Sequence, residues 1–391
     1  MKRMDSPVSV SYSRPRANDK EDTLRNIFRW TAGAKLAVLL IVVATAALAV
    51  VAASSGAKPN AHARASGGPL VTFLLPENVT ARWESQDKPF FIAAMKKLYP
   101  SAKVQVQNAL NDATKQQSQA EAALAGGTKV LILTAIDQKG AAVIVKNAKK
   151  QGVPVIAYDR LIQNAPVAYY VSVDGIKIGQ LQGSWLAAHT KKGARIAVIN
   201  GSPIDDNAHL FAKGYMSVLN PLFKKGQRKQ VANVWTPLWD PSKAQSEMEQ
   251  ILTKSNNGVD AVLSANDGMA GGIIAALQAQ GLAGKVPVTG LDGTLASLQL
   301  ILQGKQSMSV WRSLNEQATK AAQITAALLK GQKPSASLFG GASKNNGSVK
   351  VPWAKVTPRV ITVSNMNLEI KDGAVTKSQL CKGMPKTGPC K

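Results

Sequence analysis

Two stretches of the chain run through the same order of events. Residues 129–160 read KVLILTAIDQKGAAVIVKNAKKQGVPVIAYDR, and residues 259–293 read VDAVLSANDGMAGGIIAALQAQGLAGKVPVTGLDG. Each begins with an apolar run that ends in Asp, Asp137 in one and Asp267 in the other. A small-residue helical stretch follows, stopped by Gln-Gly. A Val-Pro-Val run then ends in a second Asp, Asp159 or Asp292. Similarity at this scale calls for two copies of one supersecondary unit, hence two similar domains. The apolar runs do not alternate with polar residues, so both faces of the sheet are covered, as in parallel sheets flanked by helices.

The rest of the chain fits that pattern. Short β-rich runs such as PLVTFLLP, KVQVQNA and ARIAVING alternate with helical ones such as DKPFFIAAMKKLYP, DATKQQSQAEAALAGG and DDNAHLFAKGYMSVLNPLF. The expected fold is α/β, with two doubly wound parallel-sheet domains. A length of 391 residues accommodates both. In open parallel sheets, ligands bind beyond the carboxyl ends of the strands. Asp159 and Asp292 stand there, as do Asn207, Asn266 and Asp267. Facing domains would bring these groups to one cleft.

Residues 1–34 form a polar extension. Residues 35–53 form an apolar segment whose core, LAVLLIVVATAALAVVAA, follows Arg25, Arg29 and Lys35. A basic flank before an apolar core is an export signal. It is either cleaved, with AHA at 61–63 as a candidate site, or retained as an anchor; both place the later residues outside. Residues 54–68 read as a linker. The formal charge of +25 is spread along the chain, with no basic and aromatic stripe to follow a phosphate backbone, so no nucleic-acid partner is expected. Cys381 and Cys390 lie nine residues apart in a Gly/Pro-rich tail of an exported chain, where a disulfide is expected.

No phosphate-binding loop is present, and three His leave little for a metal site or a Ser-His-Asp triad. No cofactor, metal or enzymatic activity is expected. What remains is a set of amides, carboxylates, guanidinium groups and indoles near strand ends: Arg82-Trp83, Asp159-Arg160, Asn207, Trp239, Asn266-Asp267, Asp292 and Trp311-Arg312. Asp and Asn accept from hydroxyls, and Asn and Arg donate to them. An indole face suits the C–H face of a sugar ring. Singly, each has an ordinary alternative: Asp159 as a cap, Arg160 as its ion-pair partner, Trp239 as core. Their joint placement favours a binding site.

These residues carry a family resemblance. RW at 82–83, AYDRLI at 157–162, GSPIDDNAHLFAKG at 201–214, SANDGMAGG at 264–272 and ALQAQGLAGKVPVTGLDG at 276–293 stand in family order over residues 70–365. The region resembles the periplasmic sugar-binding proteins of bacterial ABC importers, in the ribose/galactose-binding fold group, and within it the D-xylose-binding proteins. The resemblance implies two lobes joined by three crossovers, near 171–174, 309–314 and 350–356. It implies an N-terminal lobe of 69–172 plus 312–350, a C-terminal lobe of 173–311 plus 351–372, and a tail of 373–391. It implies that Arg82, Asp159, Arg160, Asn207, Asn266 and Asp292 hydrogen-bond a sugar, with Trp83 and Trp239 stacking on its faces. Asp267 and Arg312 join the candidate set. Where the family has Tyr-Lys, this chain has Trp311-Arg312, and where it has Gly-Gln-Asp, this chain has GLD. The planar fork of Arg sets a different hydroxyl geometry from Lys.

The expected function is an exported, monomeric binding protein. It would close on D-xylose or a similar aldose and deliver it to an ABC permease in the membrane. A membrane-anchored sugar sensor is the alternative. A sugar-responsive repressor shares the fold but needs a DNA-binding amino terminus, a place taken here by the apolar run.

Overall fold

The computed structural model describes residues 67–391. The polar extension, the apolar segment and all but residues 67–68 of the linker lie outside the described residues. The first lobe contains β1 (Leu70–Leu75), α1 (Lys88–Leu98), β2 (Lys103–Asn108), α2 (Ala113–Ala125), β3 (Val130–Leu133), α3 (Ala142–Lys150), β4 (Val155–Tyr158) and β5 (Tyr169–Val173). A π-helical turn, Trp83–Asp87, leads into α1. The second lobe contains α4 (Gly175–Ala188), β6 (Ala194–Asn200), α5 (Asp206–Lys224), β7 (Arg228–Trp235), α6 (Pro241–Lys254), β8 (Ala261–Ser264), α7 (Asp267–Ala279), α8 (Leu295–Leu302) and β9 (Ser309–Trp311). The chain returns to the first lobe with α9 (Leu314–Leu329), β10 (Ser343–Asn345) and β11 (Lys350–Val356). It ends in the second lobe with β12 (Arg359–Ile361), α10 (Asn367–Asp372) and α11 (Lys377–Cys381).

The internal repeat is structural. The first sheet has the order β10-β11-β5-β4-β3-β1-β2, parallel except for β10. The second runs β7-β6-β8 and continues through single bridges, Val262 to Val288 and Leu291 to Val310, to β9 and β12. Counted within each lobe, the first five strands stand 2-1-3-4-5, a doubly wound order. Residues 286–291 take the fourth place in the second lobe through bridges alone, and Pro287 offers no N–H to a ladder. β3, β4 and β8 are buried along their whole length, which is why they read as unbroken apolar runs.

Packing accounts for the remaining sequence choices. Both faces of the first sheet carry apolar clusters, one under α2 and α3 and the other under α1 and α9. In the second lobe α4 lies directly on α5: a Cβ at Gly179 would come 2.0 Å from the Phe211 carbonyl oxygen, so no larger residue fits there. Asp112, Asp174, Asp205, Asp240, Asn266, Thr294 and Ser313 each cap a helix amino terminus through the side chain.

Two expected boundaries shift. β11 pairs with β5 from Trp353–Tyr170 to Val356–Val173, so residues 351–356 belong to the first lobe. Trp353 stacks on Tyr170 with ring centroids 5.8 Å apart, and burying that pair holds the strand in the first sheet. The third crossover is therefore Thr357-Pro358; the others are at Asp174 and at Arg312-Ser313. Residues 373–391 are not a separate tail: Val375 and Leu380 pack against Leu298, Ile301 and Leu302 of α8. Cys381 and Cys390 are joined in a disulfide there.

Candidate functional site

Asp159 and Asp292 occupy equivalent places, each directly after the fourth strand position of its lobe. Asp159 N–H donates to the Val171 carbonyl at 2.8 Å, and Asp292 N–H to the Val310 carbonyl at 2.9 Å. Both have positive φ, 63° and 109°. A non-Gly residue in that region is sparsely populated and is held by its surroundings. For Asp159 the holding is visible. Tyr170 Oη and Ser172 Oγ both donate to its carbonyl, at 3.1 and 2.7 Å. The turn lifts each carboxylate out of its strand and into the space between the lobes.

Two guanidinium groups meet these carboxylates. Arg82, 2% exposed, is clamped by Asp87 through Nε at 2.7 Å and Nη2 at 2.8 Å. Asp87 also accepts from Tyr158 Oη at 2.5 Å. The clamp leaves Arg82 Nη1 to donate to Asp159 at 3.0 Å, with Asp292 at 3.7 Å. Arg312 comes from the second crossover. It donates to Asp159 at 2.9 Å and to Asp292 at 3.1 Å, and Gln317 adds a bond to Asp159 at 3.2 Å. Burial alone would lower the Arg82 pKa, but Asp87, Asp159 and Asp292 outweigh it and hold the group well above its ordinary value. Burial raises Asp292 well above the usual carboxylate range; Arg82 opposes this, and nearby Asp267, Asp159 and Asp87 add to it.

A second network crosses between the lobes at Asp205. It accepts from Gln138 at 2.8 Å and from Arg160 at 2.9 Å, both in the first lobe, and from Trp239 Nε1 at 3.2 Å in its own. Asn207, on the first turn of α5, donates to Asp159 at 3.1 Å. Trp239 sits in a turn with φ of 58°, its ring laid over Gly201, where a Cβ would fall 2.0 Å from the indole. Trp83 Nε1 donates to Glu77 at 2.5 Å. The Arg82 guanidinium lies 4.2 Å from the Trp83 ring centroid.

Arg82, Trp83, Asp159, Arg160, Asn207, Trp239, Asn266, Asp292 and Arg312 thus line one cavity, with Thr80, Asp205, Phe211 and Leu291 completing its wall. Asn266 caps α7 through Oδ1, and its Nδ2 has no acceptor among the described residues. It is a donor free for a ligand. Hydroxyl donors would meet Asp159 and Asp292, hydroxyl acceptors would meet Arg82, Arg312, Arg160 and Asn266, and aromatic surface is at hand from both lobes.

Two expectations change. Asp267 does not line the cavity. Its carboxylate turns back into the second lobe and accepts from Gln306 at 3.0 Å, Ser309 at 2.8 Å and Thr294 N–H at 2.9 Å. Those donors satisfy a buried charge that the cavity would leave bare. Trp311 also points away, into the cluster around Leu298. The ordinary alternative of an Asp159–Arg160 ion pair is not formed: Arg160 bonds Asp205 and the Ala135 carbonyl, and both residues line the cavity. Asp87, Asp205 and Gln317 escaped the sequence reading. Asp205 stands two residues before Asn207, inside a motif already singled out, whereas nothing local marks Asp87 or Gln317.

Similarity to known proteins agrees with this geometry. Residues 71–333 match the periplasmic binding protein domain. The D-xylose-binding periplasmic protein of Haemophilus influenzae is 39% identical over 300 residues, covering 76% of this chain and 88% of that protein. The multiple sugar-binding periplasmic protein SbpA of Azospirillum brasilense is 33% identical over 330 residues, covering 80% and 91%. Among solved structures, an ABC transporter solute binding protein from Clostridium phytofermentans with bound β-D-glucose has 32% identity and a TM-score of 0.72, covering 80% of this chain and 99% of that one. These relatives are binding proteins, not enzymes. Fold, cleft and likeness agree, and the chain belongs to the periplasmic binding protein family, beside the sugar-binding proteins of ABC transporters.

Proposed function

We propose that this protein captures one aldose, D-xylose or a close relative, between its lobes and delivers it to an ABC permease. The observation that carries the reading is the meeting of Asp159, Asp292, Arg82 and Arg312 in one buried cluster drawn from both lobes and a crossover. Carboxylates and guanidinium groups side by side match vicinal hydroxyls, each of which both donates and accepts. Likeness to D-xylose-binding proteins supports a pentose, and a glucose-bound relative supports a pyranose aldose more broadly.

Capture works by closure. Asp205 with Gln138 and Arg160, and Asn207 with Asp159, bond across the lobes only when these are together. A sugar that touches both lobes adds contacts to that state alone and shifts the population toward it. The permease then reads the closed form. Relatives in the periplasm and the apolar run at 36–53 support export. No helix among the described residues is long and apolar enough to cross a membrane; the apolar run at 36–53 lies outside them.

Calorimetric titration with D-xylose, D-glucose, D-galactose, D-ribose and L-arabinose, with tryptophan emission recorded in parallel, tests the proposal. Saturable binding of an aldose with a change in emission is expected from Trp83 and Trp239 at the cavity. Absence of any response at millimolar sugar would remove the assignment.

A further inference from the structure

Helix α10, which precedes α11 near the end of the chain, lies beyond the matched family domain, yet it reaches the backs of two cleft residues. Glu369 on this helix is 0% exposed, and neither of its carboxyl oxygens has a hydrogen-bond partner. The carboxyl packs directly against Gly293, the residue after Asp292. A Cβ at Gly293 would come 2.3 Å from Glu369 Oε1. The same turn is tied down by hydrogen bonds: Gly293 N–H donates to Ser309 Oγ at 3.2 Å, and Thr294 N–H to Asp267 at 2.9 Å. The Asp292 turn is therefore held by bonds to Asp267 and Ser309 and by packing against Glu369.

The next turn of α10 reaches Arg312 in the same indirect way. Ser313 Oγ donates to Asp372 Oδ1, and Asn315 Nδ2 donates to the Asp372 carbonyl at 2.9 Å. Ser313 follows Arg312 and caps α9, accepting from Glu316 N–H at 2.8 Å. α9 packs in the first lobe, whereas Met366, Leu368 and Ile370 around α10 pack in the second. The Asp372 bonds thus span the second crossover, beside the guanidinium that joins Asp159 to Asp292.

We propose that α10 is a positioning element of the cleft, with Glu369 setting the Asp292 turn and Asp372 setting Arg312 across the hinge. The inference rests on the sugar-binding reading. The charged groups around Glu369 are Asp267 of α7, Asp292 of the turn and Asp372 of its own helix, and Arg312 is the cation bonded to Asp292. Burial, then the neighbouring Asp267, Asp372 and Asp292, hold the Glu369 carboxyl well above its usual range. Its neutral form is the one favoured under the turn, because ionising it would set like charge beside Asp292.

The test titrates full-length wild type, Glu369→Gln, Glu369→Ala and Asp372→Ala with D-xylose and D-glucose between pH 6 and 9, and follows ligand-free thermal unfolding over the same range. Glu369→Gln keeps wild-type affinity at pH 6 and lacks the weakening that wild type shows as pH rises. Glu369→Ala and Asp372→Ala lose about tenfold or more in affinity. Alanine variants within twofold of wild type, or the same pH dependence in Glu369→Gln and wild type, would overturn the proposal. Should Glu369→Ala not fold, Glu369→Gln and Asp372→Ala decide it. If wild type binds no aldose, the sugar reading fails, and unfolding alone decides. The stability of Glu369→Gln relative to wild type must then grow with pH, and a constant difference overturns the positioning role.

Discussion

Replacing Asp159 by Asn removes one charge and keeps the shape. Asn tolerates the positive φ of 63° at this position. The carboxylate accepts from Arg82 at 3.0 Å, Arg312 at 2.9 Å, Gln317 at 3.2 Å and Asn207 at 3.1 Å. Breaking a buried ion pair by removing one partner typically costs about 3–5 kcal/mol. Here neither cation is stranded, because Arg82 keeps Asp87 and Arg312 keeps Asp292. The stability loss should therefore fall to about 1–3 kcal/mol, read from urea unfolding of the ligand-free protein. A hydrogen bond to a charged group is worth about 1.5–3 kcal/mol. Sugar affinity measured by calorimetry should drop about 10- to 150-fold. Asp260→Asn is the control: its pair with Arg195 is 42% and 45% exposed, so it should cost under about 1 kcal/mol and leave affinity alone. Asp159→Asn binding within threefold of wild type, with unfolding unchanged, would refute the placement of Asp159 in the site.

Arg312→Lys should weaken binding and change the ranking among aldoses, because one ammonium cannot span Asp159 and Asp292 as the guanidinium does; the same sugar panel checks this. Gly201→Ala should displace Trp239, whose ring atoms lie 2.0–2.5 Å from the added Cβ, lowering thermal stability and altering the tryptophan response to sugar. Burial lifts the Asp267 pKa to about 6, only partly offset by its bonds to Thr294, Ser309 and Gln306. The folded value exceeds the unfolded one, so the stability it contributes is full below pH 4 and declines as pH rises through 6. The loss is roughly 3 kcal/mol. Asp292 and Glu369 are raised for the same reason, so ligand-free thermal midpoints should fall from pH 4 to pH 7.

Much of this protein was legible in its residues alone. Apolar runs without alternation specify strands covered on both faces, and their spacing with helical runs specifies a doubly wound sheet. The repeat specifies two such lobes. Together they place Asp159 and Asp292 at equivalent strand ends, because strand polarity and helix connections leave few alternatives. Direction of side chains was not legible. Asp267 has the same sequence setting as Asp137, yet it turns inward to Ser309 and Gln306, whereas Asp137 accepts from the N–H groups of Lys139 and Gly140 in its own turn. Asp87 and Gln317 became supports of the cleft residues Arg82 and Arg312 only when a π-helical turn and the first turns of α9 folded each back onto an arginine five residues earlier. The final β-strand of the first lobe and helix α10 behind the cleft depend on partners far along the chain, Tyr170 for Trp353 and Gly293 for Glu369. Local sequence sets backbone period and strand ends; which charge meets which is decided by contacts between distant segments, and those exist only in the folded chain.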